Sequence, residues 1–454
     1  MGKERSDGGD RGRTLELERE EEERQTPSLA NPLLEADEVA GRGVEVPMEF
    51  QTRRITLARS LSSLRYRDFR LYSGGQIVSL IGTWMQIVAQ NWLVLELTNS
   101  PLILGILSAL QFLPILVLSV FGGVIADRMP KRQLLLLTQS ASLVLALVLA
   151  TLVQTGLVTI GSVLILAVLL GMVNAVDMPT RQAFVVELVG PADLRNAIAL
   201  NSAVFNSARL VGPAVAGAAI GVIGIAGAFY LNAVSFVAAI GTLAAMQAGR
   251  LARGGPASSI SQDLREGLAY VARTRAVWLT ILLVALVGTF AMNLNVQVPV
   301  LARDVLGVGA AGYGLLSAAS GAGSLIAALL LASLSRAPRT QSLLVSAAVA
   351  GVLEIGLAVA RQFAVAAALL AGVGFALIYF TTLANTVIQT SSPDELRGRV
   401  MSVYATVFAG TTPIGSLFAG GLMEVSVGLS FAAGGIISLL SALLGYTLSS
   451  RSRK

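Results

Sequence analysis

Gly123, Asp127, Arg128, Lys131 and Arg132 crowd into GGVIADRMPKR, a stretch between two long apolar runs. One carboxylate and three cations so spaced can form and break ion pairs. The glycine lets a second helix come close, and the carboxylate can meet a cation or a helix N-terminus. These residues read as a latch, paired in one conformation and separated in another. Asp177, near the end of the fourth apolar run, is a candidate partner. Little other chemistry is on offer, because the chain holds no histidine and no cysteine. That removes the usual general base, proton shuttle and metal ligand, along with disulfides and thiolates. No catalytic residue, metal site or cofactor is expected.

Polar residues inside the apolar runs are the next candidates. Gln76, Ser79, Thr83, Gln86 and Gln90 follow one another at spacings of 3, 4, 3 and 4, so they share one helical face. Tyr313, Ser317, Ser320 and Ser324 do the same in the eighth run. Asn293 and Gln297 in the seventh, Thr382 and Asn385 in the tenth, and Asn206 in the fifth add amides and hydroxyls. Such groups could line a cavity for an uncharged or zwitterionic amphipathic molecule, or could hydrogen-bond between helices. Arg209 lies deep in the fifth run. An arginine there costs roughly 2.5–3.5 kcal/mol, so it should face water, an anionic group or a structural partner. Glu354, inside the ninth run, reads as structural, lipid-edge or proton-carrying.

The elements that position these groups are long and oily. Of 454 residues, 54% are hydrophobic and 13% charged, against about 25% charged in soluble domains. The first 54 residues take 14 of the 27 acids and 9 of the 33 bases, so the remainder is poorer still in charge. Twelve apolar segments follow, at about 71–95, 102–126, 133–153, 158–177, 197–222, 225–247, 277–301, 311–333, 341–360, 363–388, 400–423 and 427–448. Each is near the ~20 residues that cross a bilayer, and lipid requires them to be helical. With the N-terminus in the cytoplasm, the outer loops hold only Arg303 and Arg361. The other loop cations fall inside, which fixes the orientation and places both termini in the cytoplasm.

The organisation expected is a disordered cytoplasmic tail over 1–55, a six-helix bundle over 56–248, a linker over 249–275 and a second bundle over 276–450. In the linker, SISQDLREGLAYVARTR puts Leu264, Leu268 and Val271 on one face, a short amphipathic helix at the membrane surface. The halves repeat: LGILSA at 104–109 answers YGLLSA at 313–318, and GPADLRNAI at 190–198 answers SPDELRGRV at 392–400. Matched halves of six helices describe a transporter with its site between them. GVGAAG at 307–312 matches a dinucleotide fingerprint, but a membrane helix precedes it and no acid follows at the needed distance.

The stretch Gly123-Val-Ile-Ala-Asp127-Arg128-Met-Pro-Lys131-Arg132 resembles the loop 2–3 signature of the major facilitator superfamily, with Pro130 where glycine is usual. Ala208-Arg-Leu-Val-Gly212-Pro213-Ala-Val-Ala216-Gly217 resembles the helix-five motif of that family's exporters, with alanine at two glycine positions. Residues 174–213 further resemble the branch holding enterobactin-type exporters and macrolide pumps. The resemblance implies an all-α membrane protein of twelve transmembrane helices in two six-helix bundles, working by alternating access. It also implies Asp127 against the start of the eleventh helix and Arg128 paired with Asp177 when the outside is open. The expected protein is a plasma-membrane secondary transporter, not an enzyme: a proton-coupled exporter of small amphipathic drug, macrolide or siderophore-like molecules. Its expected partners are that small molecule, protons and the bilayer, with no nucleic acid, and it is expected to act as a monomer. Nutrient uptake by the same fold is the alternative, followed by a membrane sensor or a membrane enzyme.

Overall fold

The computed structural model describes residues 62–247, 260–333 and 340–450. The tail expected over 1–55 and the first part of the expected linker lie outside the described residues. Within them, eleven helical stretches are long and apolar enough to cross a membrane, and there is no strand. One stretch, Asn196–Ala244, runs to 49 residues, more than twice what ~30 Å of hydrocarbon needs. It holds Gly224 at φ 74 and ψ 176, a backbone that glycine adopts readily. The chain reverses there. Before the turn Gly212 packs on Trp84; after it Asn232 bonds Gln86, and Thr242 packs on Gly75. The two arms therefore pass the first helix in opposite senses, and counting them separately gives twelve spans.

In chain order the first three spans are Arg67–Thr98, Pro101–Arg128 and Lys131–Gln154. The fourth to sixth are cut from one continuous helix, Ile160–Ala244, by Gly190 and Gly224, giving 160–189, 191–223 and 225–244. The eighth to twelfth are Ala310–Ser333, Thr340–Val359, Phe363–Thr390, Asp394–Val425 and Val427–Ser450. The seventh is discontinuous: Arg275–Phe290, a break at 291–293, Leu294–Val300, and a π-helical turn Leu301–Val305. Ends are capped as the local sequence dictates. Ser100 accepts from the Ile103 amide with Pro101 in the first turn, and Thr159 with Ser162 forms a capping box.

The end where the first span starts, at Arg67, is here the near rim; the end where it stops, at Thr98, is the far rim. The first six spans pack chiefly on one another, as do the last six, and two seams join these bundles. In the seam of the second and eleventh spans, Gly420 faces Gly105 and Leu102, where added methyls would come within 3.2 Å of backbone. In the seam of the fifth and eighth, Gly217 rests on Ala311 and Gly314 on Pro213. Small residues let the backbones touch. The far rim is bonded as well: Asn91 donates to the Asn295 carbonyl at 2.9 Å, and Arg303 donates to the Leu95 carbonyl at 2.7 Å. Glu424 accepts from the Leu102 amide at 3.0 Å and from Ser100.

At the near rim each of these ion pairs lies inside one bundle or ties the linker helix to the second bundle: Arg65 meets Asp193, Lys131 meets Glu187, and Arg399 meets Glu266. The linker helix, Ile260–Arg273, docks on the start of the eleventh span: Tyr270 donates to the Ser391 carbonyl at 2.7 Å, and Gly267 lies against the Arg399 backbone. Val271 is buried and Leu268 is half exposed. The structure is thus sealed at the far rim.

Candidate functional site

Below that seal a small cavity of about 30 Å³ is lined by the first, fifth, seventh and eighth spans. Trp84, Ile87 and Val88 face it from the first span, Arg209 and Pro213 from the fifth, Asn295 and Val298 from the seventh, and Tyr313, Ser317 and Ser320 from the eighth. The guanidinium of Arg209 lies over the Trp84 ring, 5.6 Å from its centroid, a contact worth about 0.5–2 kcal/mol. Among the described residues no carboxylate lines the cavity. Proline lacks an amide hydrogen, so Pro213 cannot bond the carbonyl of Arg209 one turn back. That carbonyl instead packs at the seam, 2.7 Å from where a methyl on Gly321 would sit.

The fifth-span motif serves two neighbours. Gly212 admits the first span, for a methyl there would lie 2.5 Å from Trp84 Cβ and 2.9 Å from the Ile81 carbonyl. Gly217 admits the eighth, at 3.0 Å from Ala311. Ala208 and Ala216, where the exporter motif has glycine, are buried without needing that closeness.

The polar stripe of the first span turns away from this cavity. Gln86 accepts from Asn232 of the sixth span, and Ser79 donates to Gln139 of the third at 3.3 Å. Gln76 donates to Tyr72 at 3.0 Å and accepts from Arg181. Gln90 is 2% exposed, and Thr83 donates back to the Ser79 carbonyl. The cavity takes the opposite, mostly apolar face. Asn293 and Gln297 also point elsewhere, each at most 4% exposed. Asn293 donates to the Thr289 carbonyl, Gln297 to Ser430. Asn206 donates to its own helix at Ser202. Thr382 is exposed, and Asn385 accepts from Gln389 at 2.5 Å. Of the polar positions singled out for a cavity, Arg209 lines it together with Tyr313, Ser317 and Ser320 of the eighth-span stripe, while Trp84 and Asn295 were missed. The 3-4 spacing that marks a polar face does not say which neighbour the face meets.

The latch residues are separated. Asp127 and Arg128 are exposed at the near rim, and Gly123 has open space where a side chain would go. Its neighbour Gly122 makes the close approach, to Ala175 of the fourth span. Lys131 is 5% exposed and bonds Glu187 at 2.9 Å. Arg132 donates to the carbonyls of Leu243 and Ala244 at 2.7 and 2.8 Å, where a cation suits the C-terminus of the sixth span. Asp177 pairs with Arg181, not Arg128, and accepts from Thr138 at 2.6 Å and Gln139 at 3.0 Å. Spacing of four on one helix was the available signal for that pair.

Comparison with known proteins agrees with this architecture. Residues 58–454 match the transmembrane secretion effector family. The chain is 30% identical to the multidrug efflux pump Tap of Mycolicibacterium fortuitum over 356 residues, 76% of this chain and 86% of that one. It is 30% identical over 172 residues to the staphyloferrin A transporter of Staphylococcus aureus (strain NCTC 8325 / PS 47), covering 38% of this chain and 43% of that one. Among solved structures, the nucleoside transporter NupG superposes with a TM-score of 0.69 at 11% identity, over 84% of this chain and 98% of that chain. A bacterial homologue of the human lysosomal transporter Spinster gives 0.66 at 14%, over 85% and 97%. With two six-helix bundles, glycine seams between them and a cavity in the middle, the chain belongs to the transmembrane secretion effector family of the major facilitator superfamily and is a multi-pass membrane transporter.

Proposed function

We propose that this transporter exports small uncharged or zwitterionic amphipathic molecules by alternating access, driven by the proton gradient, and that Arg209 takes the anionic group of a zwitterionic cargo. The observation that carries the reading is the cavity itself: a guanidinium stacked on an indole, hydroxyls opposite, and no carboxylate among the described lining residues. The names of the two relatives, a multidrug efflux pump and a staphyloferrin A transporter, support a drug-like or siderophore-like cargo. The cation bias of the loops makes the near rim cytoplasmic, with both termini there, so the state described is closed to the outside. The bundles over 56–248 and 276–450 would rock about the two seams, joined by the linker over 249–275, within a single copy of the chain. A proton moving inward down 100 mV releases about 2.3 kcal/mol, enough to sustain a modest gradient of cargo.

The test is a panel of drugs and siderophores offered to everted vesicles whose interior is acidified. Cargo should accumulate inside and stop doing so when the pH gradient is collapsed; movement the other way would instead support uptake. Arg209→Ala should abolish accumulation of cargo bearing a carboxylate and spare uncharged cargo. Equal loss of both would sink the anion contact.

Asp127 and Arg128 would close the near rim in the opposite state. Arg128 would then compete with Arg181 for Asp177. Asp127→Asn should abolish transport while membrane insertion stays normal, and wild-type efflux by that variant would remove the latch.

A further inference from the structure

Glu354 lies inside the ninth span, 0% exposed, and neither carboxyl oxygen has a hydrogen-bond partner among the described residues. It faces the twelfth span at Gly434. A methyl built there would sit 2.7 Å from Glu354 Oε2 and 2.5 Å from the Phe290 carbonyl oxygen. Phe290 ends the first segment of the broken seventh span, so the glycine leaves a space where a carboxyl group and a helix-end carbonyl converge. One turn along the same face of the twelfth span, Ser430 accepts from Gln297, whose Oε1 has no partner. One turn the other way, the buried Ser438 hydroxyl has none either. The remaining buried polar atom without a hydrogen bond belongs to Glu187, which is ion-paired with Lys131. Unsatisfied polarity is therefore gathered on one stripe, apart from the cargo cavity.

Among the described residues no charge answers Glu354. The spans packed against it are the tenth and twelfth, with the break of the seventh reached through Gly434. Arg275 bonds the Leu448 carbonyl, Arg303 pairs with Asp304, and Tyr379 stacks on Phe375. Tyr446 is 60% exposed, and Arg361 lies against its own loop. A carboxylate cannot be kept in such a place as an isolated ion, so the group is held here as the neutral acid.

We propose that Glu354 carries the coupled proton, with Gln297, Ser438 and the Phe290 carbonyl as the polar stripe through which it is loaded and released; this rests on the proton-driven reading above. The step is a simple ionisation. The O–H bond of the acid breaks, one proton passes to water on the near side, and a carboxylate remains until one proton from far-side water restores the acid. No electron moves. The charged form needs water, so ionisation must widen the break in the seventh span. That break adjoins the eleventh span, whose Gly415 sits 2.7 Å (as an added methyl) from Asn293 Oδ1. The eleventh span also carries the far-rim seam, which links the state of the acid to the seal.

The chain contains no cysteine, so one introduced thiol reports cleanly. Ser416 is 2% exposed in the far-rim seam. In Ser416→Cys protein, alkylation by an impermeant maleimide, corrected for thiol ionisation with an unfolded control, should change several-fold between mildly acidic and mildly alkaline buffer. The added Glu354→Gln substitution should make the rate independent of pH. An unchanged pH response in E354Q overturns the proposal while leaving proton coupling intact. A flat response in both proteins removes proton coupling and the proposal with it. A response to sodium at fixed pH that E354Q abolishes makes the stripe a cation site and also overturns it. Should E354Q fail to accumulate, the infrared spectrum of the unsubstituted protein decides: a carboxylic-acid C=O band at neutral pH is expected, and its absence refutes the neutral acid.

Discussion

The interiors of the two bundles are polar in different ways. In the first, Asp177, Thr138, Gln139, Arg181, Gln76 and Tyr72 form a connected network in which every member has a partner. Gln86 and Asn232 extend the same pattern. In the second, the side-chain oxygens of Glu354, Ser438 and Gln297 are buried with no hydrogen-bond partner among the described residues. A satisfied network fixes packing, since removing any member strands another in low dielectric. An unsatisfied stripe adds nothing to packing and is kept at a cost. On the proposal above, the contrast gives stability to the first interior and change of state to the second.

Asp177→Ala should have the largest effect on stability. It leaves Arg181, whose side chain is 19% exposed, without its counter-ion, a loss of about 3 kcal/mol, the low end for a buried pair, seen as a large fall in the thermal midpoint of the detergent-solubilised protein. A small fall would mean the network is not structural. Gly434→Ala comes next: the methyl meets both Phe290 and Glu354, and overpacking of this kind costs about 1–3 kcal/mol. A midpoint like that of the parent would show that the stripe already yields easily. Ser438→Ala should do least, because it removes a hydroxyl that bonds nothing among the described residues. A change within about 0.5 kcal/mol, or slight stabilisation, is expected; a loss of 2 kcal/mol or more, on the scale of a stranded buried partner, would show a hidden partner and blur the contrast.

The spans were legible because length and hydropathy are properties of each segment alone. Their ends were less so. The fourth span was expected to stop near residue 177, yet helix continues to Gly190, since nothing in MPTRQAFVVEL breaks it except Pro179, whose missing amide one helix can absorb. The break at 291–293 falls in FAMNLNVQ with neither glycine nor proline to mark it. What lies beside it is a tertiary contact, the close approach of Gly415 to Thr289 and Asn293. The first-span stripe was readable as a face, but its neighbours were not, because a 3-4 spacing carries no information about the helix across the way. Arg209 was readable as a costly charge, and its cavity was found on the opposite, oily side of the first span, at Trp84. Glu354 was equally visible as an acid in lipid; its isolation depends on the twelfth span, 80 residues further along at Gly434.

The fifth and sixth spans are joined by a single residue. Gly224, at φ 74, leaves no slack between the arms, whereas Leu306, Gly307, Val308 and Gly309 separate the seventh span from the eighth. The pair must swing like the two legs of a hairpin. Displacing the leg bearing Arg209 would strain the Asn232–Gln86 bond on the other leg, so on the cargo contact proposed above, binding would be felt in the part of the molecule built to stay still.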